Sequence, residues 1–456
     1  MNEAIAVQDE NQVGSSNRPS GQLSSDNRRK SLRAVAVGNL LEWFDWTLYG
    51  VFSAYLAANF FDQQDSTSAL LSTLAVFAGG FVARPIGGFV FGRLGDRVGR
   101  KTILLITMTL LALSSLAFAI LPTYEQIGPW ASALLLITRL VQGLAHGGEA
   151  GVSYTYVAEI APKERRGLWS SAVYVSVNLG VMAATALAAV LAGILADDAM
   201  NAWGWRIGFA LGAVLALYVF YLRRAAHETD VFESNKESES TESVQPITKR
   251  QMLKIALFII ALSAAMNTFY SIWITFAASN AIAVYKMDAF GAYIASLIAQ
   301  ALVLGLLPLF GRLSDRIGRR PTMVMFGVGI ILAIMPIQMI LSEQPWTLFV
   351  AQFVGMAVWA IGVSIYPVLM AELVPTRVRA MGVGVVISLS AAIFAGTSAY
   401  LYTWLNSLDL GWVFDAYLVV LALFTIVAAV KMRETKGMDL NDVDADITGK
   451  ASQARR

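Results

Sequence analysis

Gly92–Lys101 reads GRLGDRVGRK and Gly311–Arg320 reads GRLSDRIGRR, an offset of 219 residues. The two stretches share their aspartate, two glycines and the placing of their basic residues, which marks an internal duplication. Each copy crowds cations into a link too short to fold alone, with a long apolar run on either side. Such a link joins two helices at a membrane surface, so the chain reads as two related halves.

Composition supports this. Of 456 residues, 56% are hydrophobic and 14% charged, and the mean hydropathy is +0.59, against roughly 25% charged residues in an ordinary soluble domain. The expected class is all-α integral membrane, with helices spanning a lipid bilayer. A net charge of +2, with the cations spread over short links, excludes a nucleic-acid partner. There is no cysteine and there are two histidines, so no disulfide, thiolate metal site or cysteine nucleophile is expected, and no cofactor. Residues 1–31 are polar and lack the apolar core of a cleavable leader. They are expected to form a disordered cytoplasmic tail.

Apolar runs of about twenty residues predict twelve spans in two six-helix bundles. The first bundle (32–223) has spans at 32–61, 69–91, 103–121, 130–157, 168–195 and 206–222. The second (252–433) has spans at 252–285, 289–310, 322–341, 346–370, 380–405 and 412–432. A polar linker at 224–251 joins the bundles, and 434–456 is expected to be a cytoplasmic tail. The links alternate in charge. Arg28, Arg93, Lys163, Arg223, Arg312, Arg377 and Lys431 fall in one set, and Asp62, Glu125, Asp197, Glu343 and Asp409 in the other. The positive-inside rule makes the first set cytoplasmic, with both termini inside. Glu159, Pro162 and Arg166 return as Glu372, Pro375 and Arg379, a second echo on the same side.

Two related bundles suit a rocker with a central site that opens to either face in turn. Gly92, Asp96, Arg97, Arg100, Asp315, Arg316 and Arg319 would be its gate, an aspartate receiving a neighbouring helix N-terminus and an arginine. The plain alternative is that these cations only set topology.

Ionisable groups inside the spans cost about 2.5–3.5 kcal/mol each at a helix centre, so each needs a partner or a task. Glu42, Asp45 and Tyr49 share one face of the first span. Arg84 precedes Pro85 in the second. Arg139, Gln142, His146, Glu149 and Ser153 form a stripe along the fourth. All the strongly buried charge is thereby expected in the first half. The second half offers Asn267, Tyr270, Gln300, Trp359, Tyr366, Ser388 and Ser390. Arg84 and Arg139 read as a guanidinium fork for a substrate carboxylate, or as structural partners of Glu42 and Asp45. Glu42, Asp45, Glu149 and His146 read as proton-coupling groups, or as structural pairs. Tyr49, Gln142, Tyr174, Asn178, Tyr270 and Trp359 are further candidate substrate contacts, with helix-packing glue as the alternative.

GRLGDRVGRK and RLVQGLAHGGEAG resemble signatures of the major facilitator superfamily, over roughly residues 33–440. GNLLEWFDWTLYG from Gly38, ARPIGGFVFGRLGDRVGRK from Ala83, WGWRIGFALGA from Trp203 and LRRAAHETDVF from Leu222 narrow this to a resemblance to the metabolite:proton symporters. Gly208 stands where that group usually has proline. Within the group the wording is most similar to the alpha-ketoglutarate branch. The proline/betaine branch often adds a C-terminal coiled coil, and no heptads follow Met438. The span at 168–195 lacks the Gly-Pro signature of drug exporters.

The resemblance implies a proton-coupled symporter of the bacterial inner membrane, acting as a monomer and importing a small organic acid, a dicarboxylate or 2-oxo acid such as alpha-ketoglutarate. The alternatives are a symporter of a zwitterionic osmolyte or aromatic acid, and a membrane sensor without flux. Enzymatic activity is not expected, since no nucleophile stands with an adjacent base.

Overall fold

A computed structural model describes residues 25–62, 64–98, 100–147, 150–225, 248–375 and 379–440, all as helices and connecting turns. Twelve helical units result. In the first half, α1 comprises Ser25–Val51 and Ser53–Phe60, α2 is Ser66–Val98, α3 is Arg100–Ile120, and α4 comprises Pro129–His146 and Ala150–Ile160. Then α5 is Arg166–Ile194 and α6 is Trp205–Ala225. In the second half, α7 runs through Lys249–Tyr270, a π-helical turn at Ser271–Thr275, and Ala277–Tyr285. There follow α8 (Ala289–Ile317), α9 (Arg319–Ile340) and α10 (Pro345–Val363 and Tyr366–Leu373). Last come α11 (Arg379–Ser390, a π turn at Ala391–Ala395, and Gly396–Ser407) and α12 (Gly411–Lys431).

The bundles repeat one packing scheme. In the first, α1 lies on α5, α2 on α4 and α3 on α6; in the second, α7 lies on α11, α8 on α10 and α9 on α12. Across the interface α5 runs along α8 and α2 along α11, the two contacts that a pseudo-twofold axis between the halves exchanges. Among the described residues eight helices are long and apolar enough to cross a membrane. The units outside that set include α1, with Glu42 and Asp45, and α4, with Arg139 and His146. Ile194, Leu332 and Met339 are more than two-thirds exposed, as lipid-facing side chains are. Trp130, Trp346 and Trp412 are exposed too and sit at helix starts on the end away from the duplicated motif, where amphipathic rings meet headgroups.

Several expected boundaries move. Helix α1 begins at Ser25, inside the stretch expected to be tail, because helical hydrogen bonding propagates from the apolar part through residues that tolerate a helix without needing an apolar solvent. Spans expected to be continuous are interrupted. Unit α10 breaks at Ser364 and Ile365, where the Ile365 amide reaches only Gly362 O at 3.4 Å, just ahead of Pro367, which has no N–H to give. Residues 434–440 carry specific contacts, described below. Most of the expected linker, from 226 to 247, lies outside the described residues; Thr248 caps α7 by accepting from the Gln251 amide.

Close approach of α2 and α4 depends on glycine. A methyl group on Gly143 would stand 2.1 Å from Gly80 O, whereas one on Gly305 of α8 would meet nothing within 4 Å. Gly143→Ala is therefore expected to lower thermal stability in detergent by about 1–3 kcal/mol. Gly305→Ala should leave it unchanged or raise it by up to about 1 kcal/mol through helix propensity. Equal melting temperatures for the two variants would contradict this packing.

Candidate functional site

The α1 spacing puts Glu42, Asp45, Trp46 and Tyr49 on one side, facing α4. Asp45 Oδ2 accepts from Gln142 Nε2 at 2.7 Å, and Asp45 Oδ1 accepts from Ser115 of α3. Gln142 Oε1 in turn accepts from Arg139 Nη1, so one amide joins the carboxylate to the guanidinium. Arg139 is 0% exposed. Its guanidinium carbon lies 3.8 Å from the Trp46 ring centre, 4.6 Å from Tyr49 and 4.7 Å from Phe77, a cation held by aromatic faces. Tyr49 spends its hydroxyl on Thr73 O at 3.0 Å. One turn along α4, His146 Nδ1 is 2.6 Å from Glu42 Oε1, with both groups buried. Glu149 lies outside the described residues.

Arg84 has a different setting. Its guanidinium carbon rests 4.6 Å from Trp46, 5.4 Å from Phe81 and 5.6 Å from Trp43, and among the described residues it has neither an ion pair nor a hydrogen bond. Trp43 meets Tyr270 of α7 edge-on at 5.6 Å, so Arg84 borders the interface between bundles. Arg139 is enclosed by α1, α2 and α4. The two arginines neighbour one ring, Trp46, and each reaches second-half residues through a further ring, Arg84 through Trp43 to Tyr270 and Arg139 through Phe77 to Phe276 at 4.6 Å. Beyond Tyr270 come Trp359 at 6.0 Å, then Tyr174 at 5.5 Å from Trp359. The Tyr174 and Tyr154 hydroxyls are 2.9 Å apart, and Tyr366 lies 6.1 Å from Tyr154. Trp359 Nε1, Tyr270 Oη and Tyr366 Oη are buried without a well-aligned hydrogen bond among the described residues, although Thr275 lies near Tyr270 and Ser263 and Asn267 near Tyr366. Asn178 instead bonds Gln300 O across α5 and α8 at 3.1 Å.

Polar bonds close both ends of this interface. At the motif end Asp315 accepts from the Gly167 and Leu168 amides at the start of α5 (2.8 and 3.0 Å) and from Arg319 at 2.8 Å. Glu372, fully buried, lies 3.6 Å from Arg319 and 3.8 Å from Arg166. The residues after α12 cross the same end. Glu434 accepts from the Arg319 amide at 2.8 Å, Thr435 donates to Glu372 at 2.6 Å, Met438 O accepts from Arg166 at 2.6 Å, and Leu440 O from Arg379 at 2.8 Å. Lys436 donates to Arg316 O at 2.7 Å. At the far end Ser279 donates to Gly50 O and Val51 O (2.8 and 2.7 Å) and Tyr293 to Val51 O (3.0 Å). The side chains of Asp96, Arg97 and Arg100 and the surroundings of Gly92 are outside the described set.

Buried charge is not confined to the first half, contrary to expectation, since Arg319, Glu372 and Arg379 are buried as well. They were read as link residues in water, but the helix ends of the two bundles press together there and enclose them. The sequence reading also passed over Trp43, Trp46, Tyr154 and Ser115. For Trp46 a signal existed: it lies four residues after Glu42, on the face already singled out.

The family model of the Major Facilitator Superfamily matches residues 35–397. The chain belongs to that superfamily. Its relatives include the alpha-ketoglutarate permease of Escherichia coli (strain K12), 38% identical over 424 residues, which are 91% of this chain and 97% of the permease. The glycine betaine/proline/ectoine/pipecolic acid transporter of Dickeya dadantii (strain 3937) is 30% identical over 431 residues, covering 90% of this chain and 84% of that one. Among solved structures, a D-xylose-proton symporter superposes with a TM-score of 0.70 at 19% identity, over 90% of this chain and 99% of that one, a likeness of fold. This superfamily member is thus a multi-pass membrane transporter and not an enzyme.

The motif-end contacts predict a measurable shift. The chain has no cysteine, so Ser171→Cys, buried beside Gly311, gives a single thiol. Adding Asp315→Ala removes charge-assisted bonds that contribute roughly 1.5–3 kcal/mol apiece. It should raise maleimide labelling of that thiol about tenfold or more. An unchanged rate would show that Asp315 does not hold this end closed.

Proposed function

We propose that this transporter is a proton-coupled symporter of the bacterial inner membrane that imports a small organic anion, a dicarboxylate or 2-oxo acid such as alpha-ketoglutarate, by alternating access. The observation that carries the reading is Arg84, a buried guanidinium parked on aromatic faces with no carboxylate within ion-pair distance among the described residues. Its N–H donors form a fork that fits a carboxylate in two parallel hydrogen bonds. Trp359, Tyr270 and Tyr366 would offer neutral donors to the rest of the substrate, while Arg139 would position the α1 acids from within the first bundle. The 38% identical permease, matched over nearly its whole length, is named for a substrate of this class.

The Glu42 and His146 pair would take the proton. A dianion entering against an inside-negative potential costs about 2.3 kcal/mol per charge per 100 mV, so entry with protons has a physical motive. The alternating charge of the links puts the motif end in the cytoplasm, and Asp315, Arg319 and Glu372 would form the inner gate. A second reading, import of a zwitterion, is favoured by the rings of Trp43, Tyr270 and Trp359, which could surround a quaternary ammonium while Arg84 holds the carboxylate.

In proteoliposomes with an imposed proton gradient, alpha-ketoglutarate should accumulate, and a protonophore should abolish the accumulation. Arg84→Lys should lower kcat/KM by about 10- to 100-fold through loss of the bidentate pair. Uptake that persists without a gradient would sink the symport reading. Inhibition by betaine and not by dicarboxylates would favour the zwitterion.

A further inference from the structure

Trp46 is fully buried and adjoins both central arginines and His146. Its ring centre is 4.6 Å from the Arg84 guanidinium carbon, 3.8 Å from that of Arg139, and 4.8 Å from the His146 ring at an interplanar angle of 72°. His146 is itself 2.6 Å from Glu42. We propose that Trp46 is a positioning residue that couples proton to anion: its indole gathers Arg84 and His146 at one ring, so that a carboxylate that draws Arg84 away lowers the repulsion met by a proton on His146. The proposal rests on the symport reading above and assigns the residue through which its two ligands sense one another.

The physical argument concerns charge around one ring. The indole face attracts cations, but cations gathered at a fully buried ring repel each other more strongly than they would in bulk water. Arg139 is fixed in place, because Gln142 ties it to Asp45. Arg84 has no such tie among the described residues, so it can leave the ring for an anion. Among the described residues the charged groups near His146 include Glu42 and Asp45 of α1, Arg84 of α2 and Arg139 of its own helix, with Tyr270 of α7 beyond Arg84. Of these cations, Arg84 is the one whose effective charge a substrate carboxylate cancels. With Arg84 seated and unneutralised, a proton on the Glu42 and His146 pair adds a further cation beside the ring. With Arg84 paired to a carboxylate, that repulsion falls. Anion binding therefore favours proton uptake, and by linkage a proton already on the pair favours anion binding by the same factor. One proton enters the pair, shared between His146 Nδ1 and Glu42 Oε1, and no covalent bond is made or broken elsewhere.

The test compares wild type, Trp46→Phe and Trp46→Leu with alpha-ketoglutarate as the probe. Two transport rates are read in proteoliposomes: accumulation driven by a proton gradient, and exchange of labelled substrate at equal concentrations without a gradient. Proton uptake on substrate addition is followed in weakly buffered detergent solution. Wild type should take up protons on binding. Trp46→Leu, which has no ring, should lower the ratio of accumulation to exchange by roughly tenfold, a typical size for such coupling, and lose the proton-uptake signal. Trp46→Phe should fall between the two, since a phenyl face holds a cation less strongly than an indole. A ratio and proton uptake equal to wild type in Trp46→Leu would overturn the proposal. If that variant does not insert, equal proton uptake in Trp46→Phe would overturn it. Wild type that binds the probe without taking up protons would overturn the symport reading and this proposal with it.

Discussion

A guanidinium in the middle of a lipid-embedded bundle has no water to turn to, and the arrangement that keeps Arg139 there sets the rest of the first bundle. Insertion of such a charge costs about 2.5–3.5 kcal/mol. Three aromatic faces and one amide offset that cost, and the amide hands the interaction on to Asp45. Because Gln142 donates with one end and accepts with the other, carboxylate and guanidinium are neutralised without touching. That leaves α1 and α4 a separation wide enough for Trp46. It also fixes where Glu42 and His146 meet, one turn nearer the motif end of α4.

The interface between bundles is built on other terms. At both ends it is closed by hydrogen bonds that run from one bundle to the other, from α5 amides to Asp315 and from Ser279 and Tyr293 to the last carbonyls of the long α1 segment. Bonds of this kind suit a contact that opens and closes, since water can replace each partner once the bundles part. Between the ends lie rings and neutral donors that make no well-aligned hydrogen bond among the described residues. Leaving them unpaired costs free energy, and a ligand that satisfies them recovers it.

The sequence made the twelve-helix plan legible because apolar run length and the cationic links are strong, redundant signals, repeated across the duplication. It also placed Glu42 with Asp45 and Arg139 with Gln142 and His146, since helical spacing alone fixes shared faces. What it could not give is which faces meet. Gln142 as a bridge, Ser115 as a second donor to Asp45 and the parking of Arg84 on Trp43, Trp46 and Phe81 all depend on the approach of α1, α2, α3 and α4. That approach is set by backbone contacts such as Gly143 on Gly80. Burial of Arg319, Glu372 and Arg379 escaped for a related reason. A residue at the end of a span reads as solvent-exposed until another helix end, and here the Glu434 to Leu440 segment, is laid over it.

The duplicated motif that gives the fold away has thus ended in an asymmetric machine. Both halves keep the scaffold, but buried acids and their arginines at the centre come from α1, α2 and α4, while the second half supplies rings there and keeps its described buried ions at the motif end. A moving interface favours this division. If each bundle carried one member of a buried ion pair at the centre, every opening would separate opposite charges in a medium of low dielectric, at a cost of several kcal/mol. With Glu42, Asp45, His146 and Arg139 all on one bundle, these central charges need not part when the bundles do. What the two bundles exchange across the centre is then the substrate and its neutral donors, and the ionic separations fall at the motif end, where water is at hand.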